Sequence, residues 1–183
     1  MLKIGIVIAS VREGRNGKQV GDWTYNYATT EKAEEASYEL VDLKDYDLPL
    51  LGLQPTQEQG AAIKAWSEKM ASFDGYVFVT PEYNRALPGA FKNALDYLQP
   101  ELNNKAVGYV AYGGLGGLSS IQTLRLINAE QELASVRTMV TFSIMADFVN
   151  MSEFKPNDYH KDNANKMFDQ VIAWSKALKT IRG

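Results

Sequence analysis

The sequence predicts an α/β fold in which helices cover both faces of a parallel five-stranded sheet. Short apolar runs alternate with longer amphipathic segments along the whole chain. The predicted strands are Leu2 to Ala9, Ser37 to Leu43, Gly75 to Thr80, Ala106 to Tyr112 and Thr138 to Ile144. The predicted helices are Gly17 to Thr29, Gln57 to Ser72, Pro88 to Leu98, Leu118 to Leu133 and Asp162 to Ile181. Strands that alternate with helices pair in parallel through right-handed crossovers.

The number of strands narrows the architecture to a doubly wound, three-layer α/β/α sandwich. We favour the flavodoxin-like strand order 2-1-3-4-5 over a short Rossmann arrangement, although the spacing alone leaves the order open. The sequence contains no internal repeat, low-complexity tract or linker, and the segment from Pro49 to Thr56 is interpreted as a connection. We therefore expect one domain that covers residues 1–183.

The bulk composition excludes several classes of function. The 183 residues are 45% hydrophobic and 22% charged, as in an ordinary soluble globular protein, and no apolar run approaches a membrane span. The net charge of −3, with both signs interspersed, provides no basic stripe for nucleic acid. The absence of cysteine excludes thiolate chemistry and fits a reducing cytoplasm, which is the location we expect.

A polar, turn-forming segment follows the third predicted strand and is the most informative part of the sequence. Residues 80–87 read Thr-Pro-Glu-Tyr-Asn-Arg-Ala-Leu, and Pro88 stands where the next helix is expected to begin. In an open α/β sheet, ligands bind at the carboxyl ends of strands, in the connections to the following helices. We predict that this segment, the second loop, lines a binding site.

The connection after the first predicted strand, residues 9–18, has the residues of an anion site and is called the first loop. It contains Ser10, Arg12, Arg15 and Asn16 and leads into a helix that opens at Gly17. Helix N-termini carry partial positive charge, and arginine forms bidentate hydrogen bonds with phosphate. A solvated basic connection, with Asn16 as helix N-cap, explains the same residues equally well. The loop lacks the Gly-Lys-Ser/Thr of a Walker A motif, which disfavours a nucleoside triphosphate.

A glycine-rich connection, residues 112–120, follows the fourth predicted strand and is called the third loop. Its sequence is Tyr-Gly-Gly-Leu-Gly-Gly-Leu-Ser-Ser, and glycines allow a backbone to approach a flat ligand closely. The similarity to a dinucleotide fingerprint is weak, because the third glycine is absent and the loop does not follow the first strand. A flexible turn that caps a helix is the alternative interpretation.

Together, the three loops resemble those of the NADPH-dependent FMN reductase family of flavodoxin-like proteins, which includes azoreductases, quinone reductases and chromate reductases. The resemblance runs from Ile4 to Ile144. Its most specific part is Pro81-Glu82-Tyr83-Asn84, followed by Pro88-Gly89 and by Lys-Asn-Ala-Leu-Asp at 92–96. Ser10, Arg12, Arg15 and Asn16 match the family's phosphate loop, and Tyr112-Gly113-Gly114 with Gly116-Gly117 match its glycine loop. The sequence departs from the family at Ala9, where glycine is usual, and at Ser119-Ser120, where Arg-Ala is common.

The resemblance implies a site for FMN and a role for each loop. Ser10, Arg12, Asn16 and Gly17 would hold the phosphate, and Arg15 is also expected to bind the cofactor. The residues expected to line the isoalloxazine are Pro81, Glu82, Tyr83 and Asn84. Those expected to approach its pyrimidine side through the backbone are Gly113, Gly114 and Gly116.

The resemblance also implies an activity. The protein would be an enzyme that passes hydride from NADPH or NADH to bound FMN and then to a small-molecule electron acceptor, by a ping-pong mechanism. Members of the family associate as dimers or tetramers, so we expect a homodimer or homotetramer. A non-enzymatic flavin carrier or redox-sensing module is the runner-up, and a flavin-free nucleotide-binding domain is a third interpretation.

Other chemistry-bearing residues receive structural interpretations. His160, the only histidine, is expected at the surface, so we predict neither a histidine metal site nor a Ser-His-Asp relay. Asp42 belongs to a group of aspartates that we interpret as solvated. The three tryptophans lie on separate predicted helices and are expected to anchor the core, at Trp23, Trp66 and Trp174.

Overall fold

The computed structural model describes residues 1–182, so Gly183, the last residue of the predicted domain, lies outside the described part. Its strands are β1 (Leu2–Ile8), β2 (Ala36–Asp42), β3 (Gly75–Pro81), β4 (Lys105–Gly113), β5 (Leu133–Ser143), β6 (Phe148–Val149) and β7 (Glu153–Phe154). Its α-helices are α1 (Gly17–Glu31), α2 (Gln57–Ala71), α3 (Gly89–Asp96), α4 (Leu118–Glu130) and α5 (His160–Lys179). A short 3₁₀ turn, Leu43–Asp45, follows β2.

The central sheet has the predicted topology. Five strands pair in parallel in the order β2-β1-β3-β4-β5, which confirms the flavodoxin-like arrangement. Every residue of β3 and β4 is buried, because helices cover both faces of the central strands. Parallel pairing brings the carboxyl ends of β1, β3 and β4 to one edge of the sheet, where the three loops begin.

Two apolar clusters fill the space between the sheet and its helices. One face packs against α2, α3 and α4 through residues such as Trp66 and Phe91, and the other packs against α1 and α5 through residues such as Val20 and Phe168. Successive residues of β4 alternate between these clusters: Tyr109 and Ala111 join the first, whereas Val110 and Tyr112 join the second. This alternation sends the side chain of Tyr112 toward α1.

The boundary between α4 and β5 differs from the prediction. The helix ends at Glu130 rather than Leu133, and β5 begins at Leu133 rather than Thr138. The pairing of β5 with β4 shifts register between Val107 and Tyr109. The early part of this edge strand mixes buried and exposed side chains without the regular alternation that marks a strand in a sequence.

A small antiparallel hairpin, β6–β7, follows the central sheet and was not predicted. His160 was expected at the surface, but it is only 3% exposed, so that prediction is wrong. Its Nε2 lies 2.9 Å from Oδ1 of the buried Asp147. The Asp147 carboxylate also accepts the backbone N–H of Ser143 at 2.8 Å, and so fixes the start of the hairpin to the end of β5. A histidine in a polar stretch gives no sequence signal of such burial.

The tryptophans divide into two groups. Trp66 is fully buried and its Nε1 donates to the carbonyl oxygen of Ala94 at 2.8 Å, and Trp23 packs edge-on against Phe142. Trp174 is 45% exposed, so the core role predicted for it is wrong.

Within residues 1–182, no helix combines the length and the apolar character needed to cross a membrane.

Candidate functional site

The three loops meet around one cavity of about 190 Å³ at the carboxyl edge of the sheet. All three loops and the residue after β5 contribute to its wall. The lining residues are Arg12, Arg15, Asn16, Pro81, Glu82, Tyr83, Tyr112, Gly113, Gly114 and Ile144. This position is the one where ligands bind in doubly wound α/β folds.

Two of the polar residues in the first loop are engaged in fixing the loop itself. The Arg15 guanidinium donates to the carbonyl oxygen of Ser10 and pairs with the carboxylate of Asp42 at the end of β2. Asp42 is therefore an ion-pair partner, and its interpretation as a solvated acid is wrong. The Asn16 side-chain amide donates to the carbonyl oxygen of Met151, beyond the cavity, at 2.9 Å.

Arg12 remains available to a ligand. Its side chain forms no salt bridge within residues 1–182, and its guanidinium lies 5.9 Å from the centre of the Tyr83 ring. An exposed cation beside an aromatic face at the rim of a cavity is suited to a phosphate dianion, because it can reach the ligand without losing another partner.

The N-terminus of α1 borders the same cavity, because its N-cap residue, Asn16, is part of the lining. Asn16 occupies the N-cap position but makes no side-chain capping bond in the described chain, and the first turn contains no acidic residue. The first N–H groups of a helix have no intrahelical acceptor, and the helix dipole adds positive potential there. The arrangement favours an anion.

The second loop is shaped by a tight turn. Tyr83 and Ala86 exchange backbone hydrogen bonds of 3.0 and 3.1 Å, and both residues between them have positive φ angles, 50° at Asn84 and 67° at Arg85. Positive φ at both central positions defines a type I′ turn. The turn holds Tyr83 over the cavity, where its hydroxyl shares a 3.0 Å hydrogen bond with the hydroxyl of Ser10.

The third loop is held against the second. The Glu82 carboxylate accepts the backbone N–H of Ser119 at 3.0 Å, and the hydroxyls of Thr80 and Ser120 share a 3.0 Å hydrogen bond. Gly117 has φ 76° at the start of α4, and a Cβ there would lie 2.8 to 3.0 Å from atoms of residues 111 and 112. Only glycine allows this close approach of loop and strand.

The structure brings most of the predicted site residues together. Eight of the twelve line the cavity: Arg12, Arg15, Asn16, Pro81, Glu82, Tyr83, Gly113 and Gly114. Ser10 and Gly17 are buried directly behind the wall, where Ser10 contacts Tyr83. Asn84 lies on the exposed turn and Gly116 packs near Thr141, so neither is part of the lining.

Two lining residues were not among the predicted site residues. Ile144 follows β5, and its backbone N–H donates to the carbonyl oxygen of Gly113 at 3.0 Å. Tyr112 is 4% exposed, and burial raises the pKa of its hydroxyl above the ordinary value. The alternation of buried residues along β4 would have placed Tyr112 on the side of α1, but nothing in the sequence shows that its hydroxyl reaches the first loop.

A second cavity, of about 480 Å³, has Val11 of the first loop in its wall. It is lined mainly by apolar side chains, including Leu43, Tyr46 and Leu48. The cation in its wall, Lys44, pairs with Glu13 at 2.6 Å. This cavity therefore lacks the anion-binding character of the first.

Within the described residues, no group of three or more His, Cys, Asp or Glu side chains is placed to hold a metal ion.

Comparison with known proteins decides the family. Residues 2–147 match the family model described as NADPH-dependent FMN reductase. The chain belongs to this family. The match contains β1 to β5 and all three loops, so the resemblance seen in the loop sequences is confirmed. The family is one of oxidoreductases that use FMN and a nicotinamide nucleotide.

Curated relatives in the FMN reductase family are similar over most of the fold. An NAD(P)H-dependent FMN reductase of Schizosaccharomyces pombe is 35% identical over 154 residues, which are 79% of this chain and 74% of that protein. One from Nectria sp. is 34% identical over 125 residues, 64% of this chain and 62% of that protein, so the match spans less than two thirds of its length. Other relatives are an NADPH azoreductase of a Bacillus species and a quinone reductase of Escherichia coli.

Solved structures show the same fold. The flavoenzyme NAD(P)H:(acceptor) oxidoreductase FerB from Paracoccus denitrificans superposes with a TM-score of 0.68 at 16% identity, covering 97% of this chain and 98% of that one. At this identity the likeness concerns the fold alone.

The residues around the cavity fit FMN, the cofactor of the FMN reductase family. The uncapped α1 N-terminus and Arg12 provide donors and positive charge for a phosphate. In the same cavity, Pro81, the Tyr83 ring and the glycine backbone at 113–114 provide flat surfaces and close approach for a planar ring.

Proposed function

We propose that this protein is an NAD(P)H-dependent oxidoreductase that binds FMN in the cavity between the three loops and reduces a small-molecule acceptor there. The observation that carries the proposal is that loops from three neighbouring strands converge on one cavity in a chain of the FMN reductase family. The cavity combines positive charge and helix N–H groups with aromatic and glycine surfaces, which supports a site for the phosphate and the ring of a flavin mononucleotide.

The first loop would hold the phosphate. Arg12 would supply positive charge, and Ser10 and the backbone N–H groups from Gly17 onward would supply hydrogen bonds. Arg15 would act mainly by keeping the loop in shape through Ser10 and Asp42. Asn16 would orient the loop through its hydrogen bond to Met151.

The second and third loops would hold the ring. Pro81 and Tyr83 would contact it, and Glu82 would fix the spacing of the two loops through Ser119. Asn84 would keep the turn that positions Tyr83, and backbone groups at Gly113 and Gly114 would donate toward negative charge that develops on the ring. We assign Gly116 a structural part in the bend of the third loop, where its φ is 76°.

When bound, FMN supplies the redox chemistry, accepting hydride from NADPH or NADH and returning it to a second acceptor. The protein's part is to orient both partners over one open face of the ring and to stabilise charge. Because both substrates would use that face in turn, we propose ping-pong kinetics. Parallel double-reciprocal lines support this mechanism, and intersecting lines contradict it.

Quinones and azo compounds are the acceptor classes that we propose. Relatives named 2-hydroxy-1,4-benzoquinone reductase, quinone reductase and NADPH azoreductase support this choice. Apolar side chains near the cavity support it too, because Leu115 of the third loop is 72% exposed and Met145, next to the lining residue Ile144, is 75% exposed. Planar aromatic acceptors would contact such side chains favourably.

We also propose that the protein acts in the cytoplasm as a homodimer or homotetramer. Three exposed leucines support association, because Leu50, Leu51 and Leu53 stand together on one connection with 67%, 56% and 61% of their surface exposed. Light scattering coupled to size-exclusion chromatography tests the oligomeric state.

An anaerobic reduction experiment tests the activity. Protein loaded with FMN is mixed with NADPH, and the flavin absorbance near 450 nm is followed. Rapid bleaching, followed by recovery of colour when a quinone is added, supports an enzyme. FMN that is bound but not bleached by NADPH or NADH overturns the proposal in favour of a flavin carrier, and a protein that does not bind FMN overturns it altogether.

A further inference from the structure

Tyr112 extends from β4 beneath the cavity to the beginning of α1. It is 4% exposed and lines the cavity wall. A Cβ atom on Gly17 would lie 2.6 Å from the Tyr112 Oη, so the hydroxyl occupies the space in front of the first residue of α1. A side chain at position 17 would therefore collide with the Tyr112 hydroxyl, and this is a reason for glycine at that position.

The Tyr112 hydroxyl can donate to a ligand in the cavity. Its hydrogen-bonding neighbour is the Ser10 hydroxyl, which lowers the pKa of Tyr112 against the larger effect of burial and also shares a 3.0 Å hydrogen bond with the hydroxyl of Tyr83. A phenol accepts and donates, so the Tyr112 Oη can accept from Ser10 and still give its own proton to a group in the cavity that Tyr112 lines. Buried donors in native proteins ordinarily meet protein, water or ligand.

The surroundings of this hydroxyl favour an anion. The α1 N-terminus carries no side-chain cap and no acidic residue in its first turn, and the Tyr112 Oη lies beside Gly17, the first residue of this helix. The ordinary tyrosine pKa of 10.0 already keeps the phenol protonated at neutral pH, and burial raises the pKa of Tyr112 further. A protonated phenol beside helix N–H groups that lack acceptors can stabilise a bound anion by donating a hydrogen bond to it.

We propose that the Tyr112 hydroxyl donates a hydrogen bond to the phosphate of FMN and so favours the mononucleotide over riboflavin. This proposal rests on the proposed function and deepens it. It gives Tyr112 a binding role that neither the first-loop motif nor the family match assigns. Gly17 is its necessary partner, since any side chain there would displace the phenol.

Phosphate binding and simple packing by Tyr112 predict different results. The Tyr112 ring lies 6.4 Å from the ring of Phe148, centre to centre, and so contributes to the core. Tyr112→Phe keeps that ring and removes only the hydroxyl. A packing role predicts unchanged flavin affinity, whereas a phosphate contact predicts a loss confined to the phosphorylated flavin.

The test compares FMN and riboflavin binding to wild type, Tyr112→Phe and Tyr109→Phe, by calorimetry and by flavin fluorescence. Tyr109 is the matched control, because it lies on the same strand and its hydroxyl contacts Ser135 and Asn128 on the other face of the sheet. We expect the FMN dissociation constant of Tyr112→Phe to rise about tenfold or more, as for loss of a hydrogen bond to a charged group. We expect its riboflavin affinity, and both affinities of Tyr109→Phe, to change less than twofold.

Equal weakening of FMN and riboflavin in Tyr112→Phe, or no weakening of either, overturns this proposal and leaves the proposed function intact. Failure of the wild type to bind FMN overturns both. Gly17→Ala gives a second line of test: it should weaken FMN in the wild type, and weaken it less in Tyr112→Phe, where the opposing Oη is gone. Additive losses in the double variant contradict the proposed arrangement of phenol and glycine.

Discussion

The Glu82 carboxylate accepts the backbone N–H of Ser119 at 3.0 Å and thereby joins the second loop to the third. Ser119 is in the first turn of α4, where N–H groups lack intrahelical acceptors and the dipole favours a negative charge. A residue expected to contact the ligand thus also caps a helix. The two roles are compatible, because a carboxylate fixed in this way sets the distance between the two walls of the cavity.

Replacing Glu82 with alanine should destabilise the fold. The change removes an N-terminal capping acceptor, and we expect the free energy of unfolding to fall by about 1 kcal/mol. Urea denaturation measures the loss. Glu130→Ala is the matched control, because Glu130 is an exposed residue at the opposite end of α4, where a negative charge is unfavourable. Equal losses in the two variants would contradict a capping role.

Replacing Arg85 with glycine should stabilise the fold. Arg85 has a φ of 67° in the type I′ turn, and the left-handed region costs a residue with a side chain roughly 1 kcal/mol relative to glycine. We expect thermal denaturation to show a higher midpoint for Arg85→Gly. Arg85→Ala removes the same side chain without relieving the backbone, so it should give no such gain. A gain in both variants would point to the side chain instead.

Asp74 should make the stability sensitive to acid. Burial by itself would raise the pKa of Asp74, but hydrogen bonds from Lys179 and the Lys3 backbone, with the charges of Lys179 and Arg182, lower the pKa below its ordinary value of 3.8. The unfolded chain therefore binds a proton more readily than the folded one. The stabilisation is complete well above pH 4 and is lost as pH falls through the lowered pKa.

Asp74→Asn tests this contribution. At pH 7 the free energy of unfolding should fall by about 1 to 2 kcal/mol, because the ends of α5 and of the chain lose hydrogen bonds to a charged group. The decline of stability between pH 5 and 3 should become shallower. Asp45→Asn is the control, since Asp45 is exposed and forms no salt bridge among the described residues. An unchanged acid profile in Asp74→Asn would count against the prediction.

The central strands could be predicted from the sequence and the edge of the sheet could not. The strands β1, β3 and β4 are mostly apolar because helices cover both their faces, and their predicted ends are within one residue of the observed ones. The edge strand β5 contains exposed residues such as Arg137, which obscure its start. Two-residue strands such as β6 and β7 are too short to leave a periodic signal.

The loops of the candidate site could also be predicted, because topology alone brings the carboxyl ends of β1, β3 and β4 together. The partners of individual side chains could not. Arg15 and Asn16 were expected to serve a phosphate, but Arg15 pairs with Asp42 and Asn16 reaches Met151, two partners that are distant in sequence. Tyr112 was missed for the same reason: its contact with Gly17 depends on how α1 packs on the sheet.

Binding of FMN to the wild type and to Arg12→Gln is the most direct test of the site. Arg12 is the cavity's unpaired cation among the residues described, and Arg137→Gln, an exposed arginine on β5, is the control. Calorimetric titration should show one FMN per chain, with affinity about tenfold weaker in Arg12→Gln and unchanged in Arg137→Gln. A folded wild-type protein that takes up no FMN would contradict the assignment of this cavity as a flavin site.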